Sequence, residues 1–182
     1  MISEVLQRVA RVLDAARMPY MIIGGQAVLV HGEPRLTKDI DVTLGVALDR
    51  LGEVLRLVEA AGLQPLVDPE TFVRETMVLP CTDTASRVRV DLVFSESGFE
   101  RDAIRRAATV RIGAVDVRVI CPEDLVVQKV VAGRPRDLED VRSLLARQPG
   151  LDRRQVETLL RQFEQVLELP LMERWREACR DD

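Results

Sequence analysis

Two aspartates separated by one residue open an alternating segment, Asp39-Ile40-Asp41-Val42-Thr43-Leu44. The alternation predicts a half-buried strand over residues 39–44, with Asp39 and Asp41 on one face and the aliphatic side chains on the other. Two carboxylates side by side repel each other unless a cation lies between them, and the oxygen-preferring Mg²⁺ suits that position. The pair therefore indicates a divalent-metal site. A solvated strand face is the alternative interpretation of these two residues taken alone.

A glycine pair, Gly24-Gly25, follows the short apolar segment 20–23 and precedes Asp39 by thirteen intervening residues. A strand that enters a helix through two glycines leaves backbone N–H groups free of blocking side chains, and such a turn can bind phosphate oxygens. A tight turn without a ligand is the alternative. Combined with the paired aspartates, however, a phosphate-binding turn is typical of metal-assisted phosphoryl or nucleotidyl transfer.

A third acidic residue, Asp91, interrupts the segment 87–94, which is otherwise rich in Val and Leu. Its alternation predicts a strand with one apolar face, and with Asp91 on the opposite face together with Arg87 and Arg89. A carboxylate in the middle of such a strand is costly without a partner. If this strand lies beside residues 39–44, three carboxylates converge and can hold two Mg²⁺ ions.

Three further side chains are candidates for binding phosphate. Lys129 falls within the inward-facing apolar stripe of a predicted helix over residues 122–132, so it must bury its stem and bring its ammonium to an anion. That anion is either a phosphate or a nearby acid such as Asp91. Arg35 and Thr37 precede the first aspartate, where they either position phosphate or shape the turn.

The order of the predicted helices and strands that must position these residues indicates an α/β fold. It has a small mixed sheet, flanking helices and a C-terminal helical section. Residues 1–121 form the predicted α/β core, and residues 122–182 form helices packed on it as one compact unit. Asp137 and Asp140, three apart on a predicted helix, are expected to be capping and surface residues. The predicted strands cover residues 20–23, 39–44, 77–81, 87–94, 110–112 and 115–120. The predicted helices cover residues 3–17, 48–61, 68–74, 99–107, 122–132, 135–148, 152–167 and 170–180, with a further short helix after the glycine pair.

Composition excludes several classes of protein. The 182 residues are 47% hydrophobic and carry a net charge of −4, which excludes a generally basic nucleic-acid binder. Three widely spaced cysteines suit neither a disulfide framework nor a zinc site. No apolar run reaches the ~20 residues of a membrane span, and the first residues do not form a secretory signal. We therefore expect a cytoplasmic protein without a membrane partner.

The segment from Ile22 to Ala27, then residues 34–41, and then Asp91 together resemble the DNA polymerase β-like nucleotidyltransferase superfamily. Within it, residues 22–27 and 34–41 resemble minimal nucleotidyltransferases of the AbiEii toxin type and their uncharacterised relatives. The resemblance covers roughly residues 18 to 142. A second block of the same group is similar to Cys121-Pro122-Glu123-Asp124-Leu125 with Lys129, Arg134 and Asp137.

This resemblance implies roles for the residues already singled out. The glycine pair would contact the triphosphate of an incoming NTP, and the paired aspartates would bind two Mg²⁺ ions. Asp91 would complete the metal site and orient or deprotonate the acceptor hydroxyl, while Lys129 would contact phosphate. The implied reaction transfers a nucleoside monophosphate to that hydroxyl and releases pyrophosphate.

The acceptor stays open at this point: RNA, a protein or a small hydroxylated antibiotic would each serve. If the chain is the toxin of a toxin–antitoxin system, an antitoxin is a further partner. The competing interpretation is a non-catalytic, NTP-binding regulatory module with the same fold. A weaker one is a structural dimer built through the C-terminal helices.

Overall fold

A computed structural model describes residues 1–95 and 97–180. It divides into two compact units. The first contains residues Met1–Gln26 and Leu36–Ile120, and the second contains Ala27–Arg35 together with the chain from Cys121 onward. The short segment Ala27–Arg35 belongs to the second unit as well, and the domain boundary near residue 121 stays a prediction. The packing of the helical section on the core as a single unit stays a prediction.

The first unit is built on a seven-stranded mixed sheet in the order β3-β4-β5-β2-β1-β7-β6. The pairs β2–β5 and β1–β7 are parallel, and the other four pairs are antiparallel. The α/β class with a mixed sheet is therefore confirmed. The strands are β1 (Tyr20–Ile23), β2 (Asp39–Leu44), β3 (Leu63–Pro65), β4 (Val78–Asp83), β5 (Arg89–Phe94), β6 (Ala108–Ile112) and β7 (Val115–Val119). The helices before residue 121 are α1 (Ile2–Ala15), α2 (Gly24–His31), α3 (Leu51–Ala60, after a 3₁₀ turn at Leu48–Arg50), α4 (Pro69–Thr76) and α5 (Gly98–Arg106).

One face of the sheet forms the core of the first unit. The aliphatic residues that alternate along β2 and β5, such as Val42 and Val90, are fully buried. Helices α1 and α3 pack on this face, where Val9 and Val54 lie with Leu92 around a shared apolar space. Each such side chain contributes about 1.5–3 kcal/mol on burial. A slip of one residue would turn this face to solvent, so the core fixes the register of the opposite, polar face.

Strand β3 was not predicted, and its sequence explains why. It has three residues, ends at Pro65 and lies at the edge of the sheet, so it is too short to show alternation. The neighbouring strand β4 begins at Val78 and not at Met77 as predicted. Met77 takes the left-handed conformation (φ 60°) that ends α4, so it cannot also start a strand.

From residue 122 to residue 180 the regular elements of the second unit are all helices, as predicted. Its long elements are α6 (Pro122–Ala132), α7 (Pro135–Arg147), α8 (Arg153–Leu167) and α9 (Leu171–Ala178), and α6 contacts the other three. Proline opens α6 and α7, and the Asp152 side chain accepts hydrogen bonds from the first turn of α8. In the described residues, no helix is long and apolar enough to cross a membrane.

Candidate active site

The polar face of the sheet brings the three predicted aspartates together at the level of the backbone. Strands β2 and β5 are parallel neighbours, with Asp41 opposite Asp91 and Asp39 opposite Arg89. Residues opposite each other in a sheet point to the same face, and so do residues two apart on one strand. All three aspartates therefore lie on one face of the sheet, and each is half-buried. The strand that carries Asp91 therefore lies beside residues 39–44, as the convergence of the three carboxylates requires.

The glycine turn lies directly against Asp41. Gly24 has φ +63°, in the left-handed region that favours glycine. A Cβ placed on Gly24 would lie 2.8 Å from Cγ of Asp41, closer than real Cβ atoms approach, and 3.1 Å from its Cβ, which is tighter than most real contacts. Residue 23, just before the turn, pairs with Asp41 across the sheet. The turn at the start of α2 is therefore in contact with the carboxylate, and a side chain at position 24 has no room.

Two buried side chains hold the start of β2. Thr37 Oγ1 donates a hydrogen bond to Asp39 Oδ1 (2.9 Å), and Gln26 Nε2 donates one to the Asp39 carbonyl oxygen (3.1 Å). Thr37 was predicted near phosphate or in the turn, and it contacts the candidate metal ligand. Gln26 was missed as a site residue, and the available signal was a polar residue within the apolar run that follows the glycines.

Asp91 is paired with an arginine of its own strand. Arg89 Nε donates to Oδ1 (2.9 Å) and Oδ2 (3.1 Å) of Asp91, as the prediction that both share one face implies. The hydrogen bond and charge of Asp91 raise the pKa of Arg89, and the charges of Asp39 and Asp41 raise it further. The guanidinium thus lies in the combined negative field of the three carboxylates.

The donor set fits a hard divalent cation, although its side chains are not gathered around one point. Within residues 1–95 and 97–180, no three Asp, Glu, His or Cys side chains are arranged to hold a metal ion. Asp39 and Asp91 instead hold hydrogen bonds from Thr37 and Arg89. Three carboxylates on one face, next to a turn that excludes a side chain, nevertheless supply the oxygen ligands that Mg²⁺ prefers. The predicted convergence is therefore met by the backbone register, and the metal site itself stays a prediction.

Lys129 lies in the second unit and is buried as predicted. The anionic groups that its ammonium contacts are carboxylates. Its Nζ lies 2.8 Å from Asp137 Oδ1 and 2.9 Å from Asp140 Oδ2. Arg35 Nη2 donates to Asp140 Oδ2 (3.0 Å), and Arg134 Nε donates to Asp137 Oδ2 (2.5 Å). The prediction that Asp137 and Asp140 are capping and surface residues is wrong, because both are buried and each bridges two cations.

We expect Asp137→Asn to lower the free energy of unfolding at neutral pH by about 3 kcal/mol, since it breaks a buried ion pair. Burial alone would raise the pKa of Asp137, but the hydrogen bonds and charges of Arg134 and Lys129 hold it below its ordinary 3.8. A lowered pKa stabilises the fold above about pH 4, and this contribution is lost as the pH falls toward the folded-state value. Urea unfolding at pH 7 and pH 3 measures the effect.

The deficit of Asp137→Asn relative to the wild type should therefore shrink at pH 3. The matched control is Asp116→Asn, because the Asp116 side chain is 63% exposed in its pair with Arg111. It should change stability by less than about 0.5 kcal/mol at either pH. An equal loss of unfolding free energy by Asp137→Asn at both pH values would contradict the role of Asp137 as the ionised partner of a buried ion pair.

Solved structures with the same fold include several nucleotidyltransferases. The antibiotic-resistance factor ANT(2'')-Ia has a TM-score of 0.63 and 16% identity over 92% of this chain and 93% of its own. An antigenic nucleotidyltransferase-like protein from Paracoccidioides brasiliensis has a TM-score of 0.60 and 17% identity over 90% and 87%. The lincosamide antibiotic adenylyltransferase LnuA, solved with lincomycin bound, has a TM-score of 0.55 and 14% identity over 78% and 94%. At these identities the likeness shows a shared fold.

Family comparison is more specific than these structural likenesses. A search of curated proteins found no match in sequence. A family model described as "Nucleotidyltransferase of unknown function (DUF6036)" matches residues 1–173, which is nearly the whole chain. The chain therefore belongs to this family and is a nucleotidyltransferase, an enzyme that transfers nucleoside monophosphate groups.

Proposed function

We propose that the chain transfers a nucleoside monophosphate from an NTP to an acceptor hydroxyl, with Mg²⁺ as cofactor. The observation that carries this proposal is the pairing of Asp41 with Asp91, together with the contact between the Gly24 turn and Asp41. A backbone turn suited to phosphate thus adjoins carboxylates suited to a divalent cation. The resemblance to the polymerase β-like superfamily supports the same arrangement and adds the expectation of two ions.

The chain's own residues then have distinct roles. Asp39 and Asp41 would hold the cation, and the N–H groups of the turn at Gly24 and Gly25 would bind the polyphosphate. When bound, the cation supplies charge neutralisation for the transferred group and for the leaving pyrophosphate. Asp91 would complete the metal site, orient the acceptor hydroxyl and accept its proton. The acceptor oxygen forms a bond to the α-phosphorus while the bond from that phosphorus to the leaving pyrophosphate breaks.

Arg35, Thr37 and Lys129 are proposed as phosphate-binding residues. The superfamily resemblance implies this role for Lys129, and the position just before Asp39 suggests it for Arg35 and Thr37. Thr37 lies beside the candidate metal ligand, since its hydroxyl donates a hydrogen bond to Asp39. Arg35 and Lys129 are held by Asp140 in the second unit. A phosphate would therefore have to share these two cations with a buried carboxylate.

A small hydroxylated molecule is the acceptor that we propose first. Two of the structures with this fold are described as an antibiotic-resistance factor and as a lincosamide adenylyltransferase, so the fold accommodates such acceptors. Aromatic residues make up only 3% of the chain, which leaves few surfaces for stacking the bases of single-stranded RNA. A protein acceptor, a toxin role with an antitoxin partner and a cytoplasmic location follow only from the sequence analysis and stay predictions.

The proposal is tested by incubating the full chain with each of the four NTPs, labelled at the α-phosphate, and Mg²⁺. Separate reactions contain a panel of hydroxylated antibiotics, total RNA or a protein extract. We expect label to move from one NTP to one acceptor class, with pyrophosphate released, and EDTA to abolish the transfer. Nucleotide retention without label transfer in any reaction would favour the non-catalytic binding module instead.

A further inference from the structure

Arg89 places a positive charge among the three candidate metal-binding carboxylates. Its Nε donates to both oxygens of Asp91, at 2.9 and 3.1 Å. On the neighbouring parallel strand, Asp39 lies opposite Arg89 and Asp41 lies opposite Asp91. One guanidinium and three carboxylates therefore occupy four adjacent positions on one face of the sheet.

This arrangement compensates negative charge before any cation binds. Three ionised carboxylates on one face repel one another, and a nearby cation stabilises their charged forms. The hydrogen bonds to Asp91 are charge-assisted and so are stronger than neutral ones. They also engage both oxygens of Asp91, which a divalent cation would need as ligands.

The two members of the pair differ in their freedom to move. The Arg89 side chain is 56% exposed, whereas that of Asp91 is 16% exposed. An exposed ion pair contributes little net stability, because water solvates the released guanidinium well. Asp91 is held more tightly in the middle of a central strand. When a cation approaches, the arginine can turn into solvent while the aspartate stays in place.

We propose that Arg89 is a resident counter-ion of the active site, which orients and neutralises Asp91 in the metal-free protein and is displaced when a divalent cation binds. The inference rests on the proposed function, since it takes Asp91 as a metal ligand. Arg89 is accordingly a positioning residue that acts through Asp91. Its presence weakens cation binding to the free protein and favours binding of the cation together with the oxygens of a nucleotide triphosphate.

The experiment measures Mn²⁺ binding to the full chain without nucleotide, from the electron paramagnetic resonance signal of free Mn²⁺. We expect Arg89→Gln to bind Mn²⁺ about threefold to tenfold more tightly than the wild type. Arg89→Lys should fall between the two, because it keeps the charge and loses the guanidinium geometry. Arg87→Gln is the matched control, since it removes the same charge from an exposed arginine two residues away and should change affinity less than about twofold.

A purely structural role for Arg89 would give the opposite sign, because loss of the pair would disorder Asp91 and weaken Mn²⁺ binding. Unchanged or weaker binding by both Arg89→Gln and Arg89→Lys would overturn the inference. Asp41→Asn and Asp91→Asn separate this failure from that of the proposed function. If both variants bind Mn²⁺ like the wild type, the metal site itself is wrong and both proposals fall. If both variants lose Mn²⁺ binding, the metal site stands, and the Mn²⁺ affinities of the Arg89 variants alone decide whether the inference holds.

Discussion

Asp41→Asn should reduce nucleotidyl transfer by about 10²- to 10⁴-fold while the protein stays folded. The amide has nearly the same shape as the carboxylate, but it carries no charge and is a poor ligand for a hard cation. Asp41 is the residue that contacts the Gly24 turn and lies opposite Asp91. Its carboxylate therefore joins the candidate phosphate-binding and metal-binding parts of the site. Initial rates at saturating Mg²⁺ and NTP measure the loss.

Two comparisons make this result specific. Asp116→Asn, at an exposed position of β7 and also paired with an arginine, should keep the wild-type rate. The melting temperature of Asp41→Asn should stay near that of the wild type, because Asp41 is only half-buried. Transfer at the wild-type rate by a folded Asp41→Asn protein would contradict the placement of the metal site on β2.

The candidate metal face could be predicted from the sequence because its signal is local. The first four residues of β2 and of β5 alternate between polar and aliphatic side chains, so each strand by itself shows which side chains leave the core. The adjacency of the two strands was a condition that the sequence left open, and only the structure supplies it. The pairing of Arg89 with Asp91 follows from the same alternation, since the two residues are two apart on one strand.

The charges of the second unit could not be predicted in the same way. Asp137 and Asp140 lie on a helix with many charged neighbours, a pattern typical of a solvated face. Their partner Lys129 comes from the preceding helix, and the partner Arg35 of Asp140 lies more than a hundred residues earlier in the chain. Burial of a carboxylate depends on such distant cations, which no local periodicity records.

The Gly24 turn is a second feature whose importance only the structure shows. The sequence predicts a glycine pair suited to phosphate, and equally a tight turn without a ligand. The contact with Asp41 places the turn beside a candidate metal ligand, as a phosphate-binding role requires, and that role stays a proposal. Two independent features require glycine at position 24: its positive φ and the lack of space for a Cβ.

Gly24→Ala should therefore lower both stability and transfer. The left-handed conformation costs an alanine about 1–2 kcal/mol, and the new methyl group overlaps the carboxylate of Asp41. Either the turn or the carboxylate must move, and displacement of a catalytic group by about 1 Å can cost 10²-fold in rate. We expect a loss of about 2–3 kcal/mol in the free energy of unfolding, together with a transfer rate about 10²-fold lower. Urea unfolding and initial rates measure the two effects.

Gly62→Ala separates the local strain from the contact with the site. Gly62 has a similar backbone conformation (φ +68°), but the nearest atoms to an added Cβ lie 3.7 Å away on the Arg8 side chain. It should lose about 1–2 kcal/mol of stability and keep its transfer rate. If Gly24→Ala retains the transfer rate of Gly62→Ala, the turn takes no part in binding the nucleotide. If Gly24→Ala alone loses transfer, and Mn²⁺ binding falls with it, the turn and Asp41 act as one unit, as their contact implies.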